Sequence, residues 1–148
     1  MKKIIISIII AFSMFGNSSP KIGEKHKAAK IEAETSIPNL NNWNDIYLSY
    51  RKFNNLDDGA IAEAYSDVIV KMFADHWSEL KLFIKIISKD QKFYSFALKH
   101  IDATADVADL EKVMNNSSKH CRKSMQNVYS DIYRMAKKAI RDADQQND

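Results

Sequence analysis

Apolar residues recur every three or four positions through most of the chain, the spacing that places them on one face of an α-helix. Residues 40–53 show it first, with large apolar side chains at Leu40, Trp43, Tyr47, Tyr50 and Phe53. Similar stripes occupy residues 61–73, 80–87, 93–101, 107–114 and 121–139. After position 39 there is no proline, and Gly59 is the only glycine, which disfavours β-hairpin turns. The pattern predicts an all-α fold of five to six helices.

Polar residues between the stripes are suited to helix capping, because their side chains accept hydrogen bonds from the free amides of a first turn. The predicted caps are Asp57 or Asp58, Ser78, Asp90, and Thr104 or Asp106. The run Asn-Asn-Ser-Ser at 115–118 is expected to end one helix before the last one begins. Residues 40–148 are therefore predicted to form a single helical domain, either a compact bundle or a short superhelical stack.

The first 19 residues, MKKIIISIIIAFSMFGNSS, have the basic, apolar and small-residue order of a secretory signal peptide. Their apolar run is well short of the ~20 residues that span a bilayer as a helix. We expect cleavage after residue 18 or 19 and a periplasmic or secreted protein without stable membrane insertion. An uncleaved anchor or a buried first helix is the alternative. Residues 20–39 have few apolar side chains and are expected to form a flexible, lysine-containing N-terminus.

The charge and the cysteine content narrow the possible partners. The formal charge is +3, and removal of the signal peptide takes away Lys2 and Lys3, leaving +1. That is too little for the electrostatic grip on which nucleic-acid binding depends. The single Cys121 excludes an intrachain disulfide, and its place in the last apolar stripe predicts burial, with an intermolecular bond as the alternative. A basic arm and a Lys/Arg face on the last helix leave membrane or nucleic-acid docking as a further alternative.

The stretch LDDGAIAEAYSDVIVKMFADHW, residues 56–77, combines most of the candidate chemistry. It does not fit a calcium loop, because Leu56 and Tyr65 would occupy coordinating positions that require oxygen ligands. Asp57 and Asp58 are explained by capping and by the helix dipole, and Gly59 by the close approach of a neighbouring segment. The alternative is a partner-binding site formed by Asp57, Asp58 and Trp77.

A metal-binding or hydrolytic site would have to use Asp75, His76 and His100. Consecutive residues of a helix point about 100° apart, so Asp75 and His76 do not converge on one ligand. His100 lies on an apolar stripe, where it is expected to face inward as a structural histidine. No glycine-rich phosphate loop or serine-hydrolase motif occurs in the sequence, and no cofactor or catalytic residue is predicted.

The runs DDGAIAEAYSDVIVKMFADHW and ALKHIDATADVADL resemble a segment of small exported helical proteins of Gram-negative bacteria, over about residues 56–121. In size, fold and export the chain is also similar to periplasmic immunity proteins, which neutralise type VI secretion effectors. This resemblance implies a compartment and a helical fold, and it transfers no functional residue. Together these features predict a non-enzymatic module that binds another protein.

Overall fold

The computed structural model describes residues 22–119 and 125–146, and every regular element in these ranges is helical. This confirms the all-α fold, with seven α-helices where five to six were expected. They are α1 (Ile22–Ser36), α2 (Trp43–Phe53), α3 (Gly59–Asp75), α4 (Leu80–Ile87), α5 (Gln91–Lys99), α6 (Val107–Lys119) and α7 (Gln126–Gln146). Short 3₁₀ turns lie at Ile37–Asn39, Asn54–Leu56 and Trp77–Glu79.

Helix α3 is the centre of the structure, and its side chains are buried on most sides. Helix α6 packs on α3 and on α7, while α1 and the turn after it cover another side of α3. Helix α2 packs on α4, α4 packs on α5, and α5 also contacts α7. None of the helices within 22–119 and 125–146 is long and apolar enough to cross a bilayer.

Aromatic rings fill the space between α2, α3 and α4. Trp43 is fully buried, with its ring centroid 4.8 Å from that of Phe73 and 4.5 Å from that of Phe83. Phe73 and Phe83 meet edge to face at 5.2 Å, an arrangement that the quadrupoles of aromatic rings favour. The stripe predicted from residues 40–53 therefore supplies part of the core.

The N-terminal region differs from the prediction of a flexible segment at 20–39. Residues 22–36 form α1, and the turn that follows is anchored by Ile37. Ala33 and Ile37, four residues apart, are both fully buried in the core, although most of α1 is exposed. Two buried residues at helical spacing are a weak sequence signal, which explains the error. The predicted signal peptide, residues 1–19, lies outside the described residues.

The cap predictions have mixed outcomes. Asp90 and Asp106 each accept hydrogen bonds from the first backbone amides of the helix that follows them, as predicted. Ser78 instead lies inside a 3₁₀ turn, and Glu79 precedes α4. Helix α6 also continues through the run expected to break it, and within that run Ser117 is buried and donates its hydroxyl hydrogen to the carbonyl of Val113.

Helix α7 buries a stripe shifted from the predicted one. The buried positions are Tyr129, Ile132, Ala136, Ala139 and Ala143, whereas Met125, Val128 and Met135 of the predicted stripe are only partly buried. Cys121, which was expected to start that stripe, lies outside the described residues.

Candidate functional site

His100 is the centre of a buried polar cluster. It follows α5 directly, and only 1% of its surface is exposed. Its Nδ1 lies 3.0 Å from the hydroxyl oxygen of Ser66 on α3. Its Nε2 lies 3.1 Å from Oδ1 of Asp57, but neither atom has a well-aligned hydrogen bond, so the contact is mainly electrostatic. The sequence prediction that His100 faces inward is confirmed.

Two further groups complete this His100 cluster. The other oxygen of Asp57, Oδ2, accepts a hydrogen bond from Nζ of Lys99 at 2.7 Å. The hydroxyl of Ser66 is also within hydrogen-bonding distance of Asp102 Oδ2, at 2.9 Å, and of the Ala62 carbonyl, at 3.1 Å. The cluster thus connects α3 to two loops, the one that precedes α3 and the one that follows α5.

Burial favours the neutral form of the His100 imidazole. Loss of hydration lowers the pKa of His100 below its ordinary value of 6.5, the adjacent Asp57 carboxylate acts in the opposite direction, and Lys99 adds to the lowering. In a neutral imidazole one nitrogen donates and the other accepts. The single hydroxyl hydrogen of Ser66 is directed at Asp102 Oδ2 or at the Ala62 carbonyl, and either ring tautomer of His100 is compatible with the contact at Nδ1.

The cluster has the residue types of a nucleophilic triad, yet it is closed to substrates. In such triads a serine oxygen attacks a bound carbonyl while histidine takes its proton. Here Ser66 and His100 are each only 1% exposed, and the serine oxygen is enclosed by its own helix and by Asp102. A substrate carbonyl has no path to that oxygen in this structure. The arrangement is one that holds helices together.

The predicted acidic patch is not assembled as expected. The side chain of Asp57 is only 9% exposed and is engaged by His100 and Lys99, so it is not available as a surface acid. Asp58 is 78% exposed and occupies the N-cap position of α3, but its side chain makes no capping bond. Gly59 has a φ of +47° with open space around it, so it serves the turn rather than a close approach.

The proposed metal ligands lie at opposite ends of α3. Its 17 residues span about 25 Å, with Asp57 and His100 at one end and Asp75 and His76 at the other. Asp75 pairs with Lys112 at 3.1 Å, and His76 lies 3.8 Å from Glu79. Asp75, His76 and His100 therefore do not form one site. Within residues 22–119 and 125–146, no group of three such side chains is placed to hold a metal ion.

Trp77 is half-buried at the end of α3 distant from Asp57 and Asp58, so these three residues do not share a site. Its ring packs edge-on against Tyr129 at 5.7 Å and contacts Phe73 at 6.4 Å. It also lines a cavity of about 180 Å³ between α4 and α7, which we call the Trp77 cavity. The other lining residues are Ser78, Leu80, Lys81, Ile84, Met125 and Tyr129.

A second concavity, which we call the Tyr47 groove, lies between α2 and α4 and has a volume of about 310 Å³. It is lined by Asn44, Tyr47, Leu82, Lys85, Ile86 and Lys89. The hydroxyl of Tyr47 donates to Asp90 Oδ2 at 3.1 Å, which fixes the ring at the groove wall. Leu48, the next residue on α2, is 64% exposed.

Lysines 81, 85 and 89 separate the two concavities. They are exposed, and their spacing of four residues places them in one row along α4 and the turn after it. By helix geometry Ile84 lies on the Trp77 side of the row and Leu82 on the Tyr47 side. The row, the Trp77 cavity, the Tyr47 groove and Leu48 together are named the α4 surface.

Sequence reasoning missed most of the α4 surface and found only Trp77. The available signal was the run LKLFIKIISK at 80–89, in which lysines alternate with aliphatic residues and no acidic residue occurs. Such a run is equally typical of an ordinary amphipathic helix. The exposure of Leu48 and the two flanking concavities are visible only in three dimensions.

No protein family, curated protein or solved structure shows a significant match to this chain. The resemblance to small exported proteins therefore stays a prediction.

Proposed function

We propose that this chain is a non-enzymatic protein-binding module of the bacterial periplasm, specifically an immunity protein that neutralises a secreted effector. The observation that carries the proposal is the α4 surface, where an exposed leucine and two concavities with aromatic walls lie side by side. Aromatic residues in pockets commonly dominate the binding energy of protein interfaces.

The burial of the polar side chains that could catalyse hydrolysis favours a binding function. The side chains that could act as base, nucleophile and orienting acid are His100, Ser66 and Asp57, and His100 contacts the other two inside the structure. At the other end of α3, Lys112 forms surface ion pairs with Asp75 and Asp109. What the molecule presents outward at the α4 surface is shape, apolar area and positive charge.

The periplasmic setting and the immunity role come from the sequence. The signal-peptide pattern at residues 1–19 predicts export, and the small helical form is similar to that of immunity proteins. A protein that blocks an effector needs a stable scaffold and one complementary surface, and it needs no chemistry of its own. These are the two properties that the His100 cluster and the α4 surface would supply.

Competition between cells tests the immunity role. The gene is deleted in the source strain, and the mutant is grown in contact with its parent. We expect the mutant to be lysed and the full-length chain, expressed in trans, to restore survival. Normal survival of the mutant under conditions in which the parent lyses an unrelated competitor would contradict the immunity function.

A binding experiment tests the surface. The mature chain, residues 20–148, is tagged and used to isolate its partner from the envelope and secreted fractions of the source strain. We expect one stoichiometric partner, and Leu48→Glu should weaken its binding at least tenfold, while Ile31→Glu serves as control. Ile31 matches Leu48 because it is also an exposed aliphatic residue on a helix, at 52% exposure. It lies on α1, away from α4. Equal binding by both variants would contradict the assignment of the surface.

A further inference from the structure

The lysine row of the α4 surface forms no ion pair with the described residues. Residues 80–89 contain three lysines and no acidic residue. The two acidic residues that flank this run have other neighbours: Glu79 lies 3.8 Å from His76, and Asp90 caps α5 with one oxygen and accepts from Tyr47 with the other. In the described part of the structure, none of the three lysines has an ion-pair partner.

Several other exposed cations of the described residues have a carboxylate partner. Lys71 pairs with Asp67, Lys112 with Asp75 and Asp109, Arg134 with Asp131, and Lys138 with Asp142. The contrast matters because a cation that already has a carboxylate partner gains little from a second one. The lysine row keeps its full attraction for an external negative charge, and it does so between two concavities that accept apolar side chains.

We infer that the α4 surface binds an acidic segment of a partner protein, whose carboxylates meet Lys81, Lys85 and Lys89 while its apolar side chains enter the Tyr47 groove or the Trp77 cavity. The inference rests on the proposed protein-binding function and adds the chemistry of the partner. A protein segment fits better than a nucleic acid or a lipid surface, because the two concavities, of about 180 and 310 Å³, are of side-chain size and the row holds only three charges. Attraction between opposite charges would also speed the encounter and set the orientation of the complex.

The probe for this inference is a synthetic 15-residue helical peptide with glutamate every fourth position and leucine on the adjacent face. Its control is the same peptide with glutamine in place of glutamate. Both are titrated into the ¹⁵N-labelled mature chain, residues 20–148, at low and at high salt. We expect the glutamate peptide to shift the backbone amides of Trp43–Phe53 and Leu80–Ile87, with a weaker affinity at high salt.

Charge reversal provides the matched comparison. Lys81→Glu/Lys85→Glu should weaken binding of the glutamate peptide about tenfold or more, whereas Lys137→Glu/Arg141→Glu should change it by less than about twofold. Both pairs are exposed, four residues apart on a helix and without an ion-pair partner among the described residues, and both change the net charge equally. Circular dichroism checks that each variant is folded.

Three results would overturn the inference. The first is an absence of shifts at millimolar peptide, or shifts that map away from α2 and α4. The second is equal binding of the glutamate and glutamine peptides. The third is tighter binding of phosphatidylglycerol vesicles or of duplex DNA at the same lysines, which would make the partner a membrane or a nucleic acid. If the deletion mutant survives contact with its parent and the peptides behave as expected, the immunity function is wrong. The inference that the α4 surface binds an acidic segment then still stands.

Discussion

The His100 cluster and the α4 surface use charge in opposite ways. In the cluster, Asp57, Ser66, Lys99 and His100 contact one another, and two of the four are almost fully buried. On the α4 surface, three lysines face solvent beside an exposed leucine and two concavities, and nothing in the described part of the structure neutralises them. The residue types usually associated with chemistry hold the scaffold together, while ordinary lysines and aliphatic residues are free to bind.

The comparison predicts that removing His100 costs stability. His100→Ala leaves the Asp57 and Ser66 side chains buried without their central partner and creates a cavity, so we expect the free energy of unfolding to fall by about 3 kcal/mol. Urea denaturation measures it. His76→Ala is the control, because His76 is exposed, and it should change stability by less than about 0.5 kcal/mol. Equal effects from the two variants would show that the His100 cluster does not stabilise the fold.

Stability should also depend on pH through His100. Because burial lowers the pKa of His100 in the folded protein, the unfolded chain takes up a proton first as pH falls below 6.5. The stabilisation is therefore complete above that pH and is lost on acidification, at no more than about 1.4 kcal/mol per pH unit. The charged groups around the ring are Asp57, Lys99 and Asp102.

Urea denaturation of the wild type and of His100→Gln between about pH 7 and pH 5 isolates this contribution. Glutamine keeps a donor and an acceptor at the site but does not titrate, and the other histidines are common to both proteins. We expect the wild type to lose more stability than the variant over that range. Parallel pH profiles would mean that His100 binds its proton equally well in the folded and unfolded states.

Asp90 connects the scaffold to the α4 surface and should affect both. Its carboxylate caps α5 and holds the Tyr47 hydroxyl, so Asp90→Ala should lower the free energy of unfolding by about 1 kcal/mol. Asp58→Ala is the matched control, since Asp58 is at an N-cap position without a capping bond and should change stability by a few tenths of a kcal/mol. A loss from Asp58→Ala as large as that from Asp90→Ala would contradict the geometry at both caps.

The smallest stability effect is expected at Leu48. It is 64% exposed, so Leu48→Glu should leave the free energy of unfolding within about 0.5 kcal/mol of the wild-type value while weakening partner binding. Thermal denaturation together with a binding titration separates the two quantities. A marked drop in the melting temperature would instead assign Leu48 to the fold.

Periodicity predicted the helical fold well and the sites poorly, for physical reasons. The stripes of α3 and α5 were confirmed nearly residue by residue, because a helix buried between neighbours must show its apolar face in sequence. The His100 cluster joins Asp57, Ser66 and His100 from distant positions, and nothing in their spacing indicates that they meet. Helix α1 was missed because Ala33 is its one fully buried side chain among the described residues, and a single small residue gives no visible stripe.

Trp77 shows why binding sites are hard to predict from the sequence. Its position after α3 could be predicted, but its packing on Tyr129 depends on α7, more than fifty residues later. The Tyr47 groove likewise needs α2 and α4 to be side by side. Whether an exposed lysine has a carboxylate partner is a property of the surface around it, which a linear pattern does not contain.

The central claim is that the α4 surface binds the partner while the His100 cluster only supports the fold. Co-culture survival tests it most directly, in the deletion strain complemented with His100→Gln or with Lys81→Glu/Lys85→Glu, at a temperature at which both variants are folded. We expect His100→Gln to protect the cells as the wild type does and the lysine variant to fail. Full protection by the lysine variant together with loss of protection by His100→Gln would contradict the account.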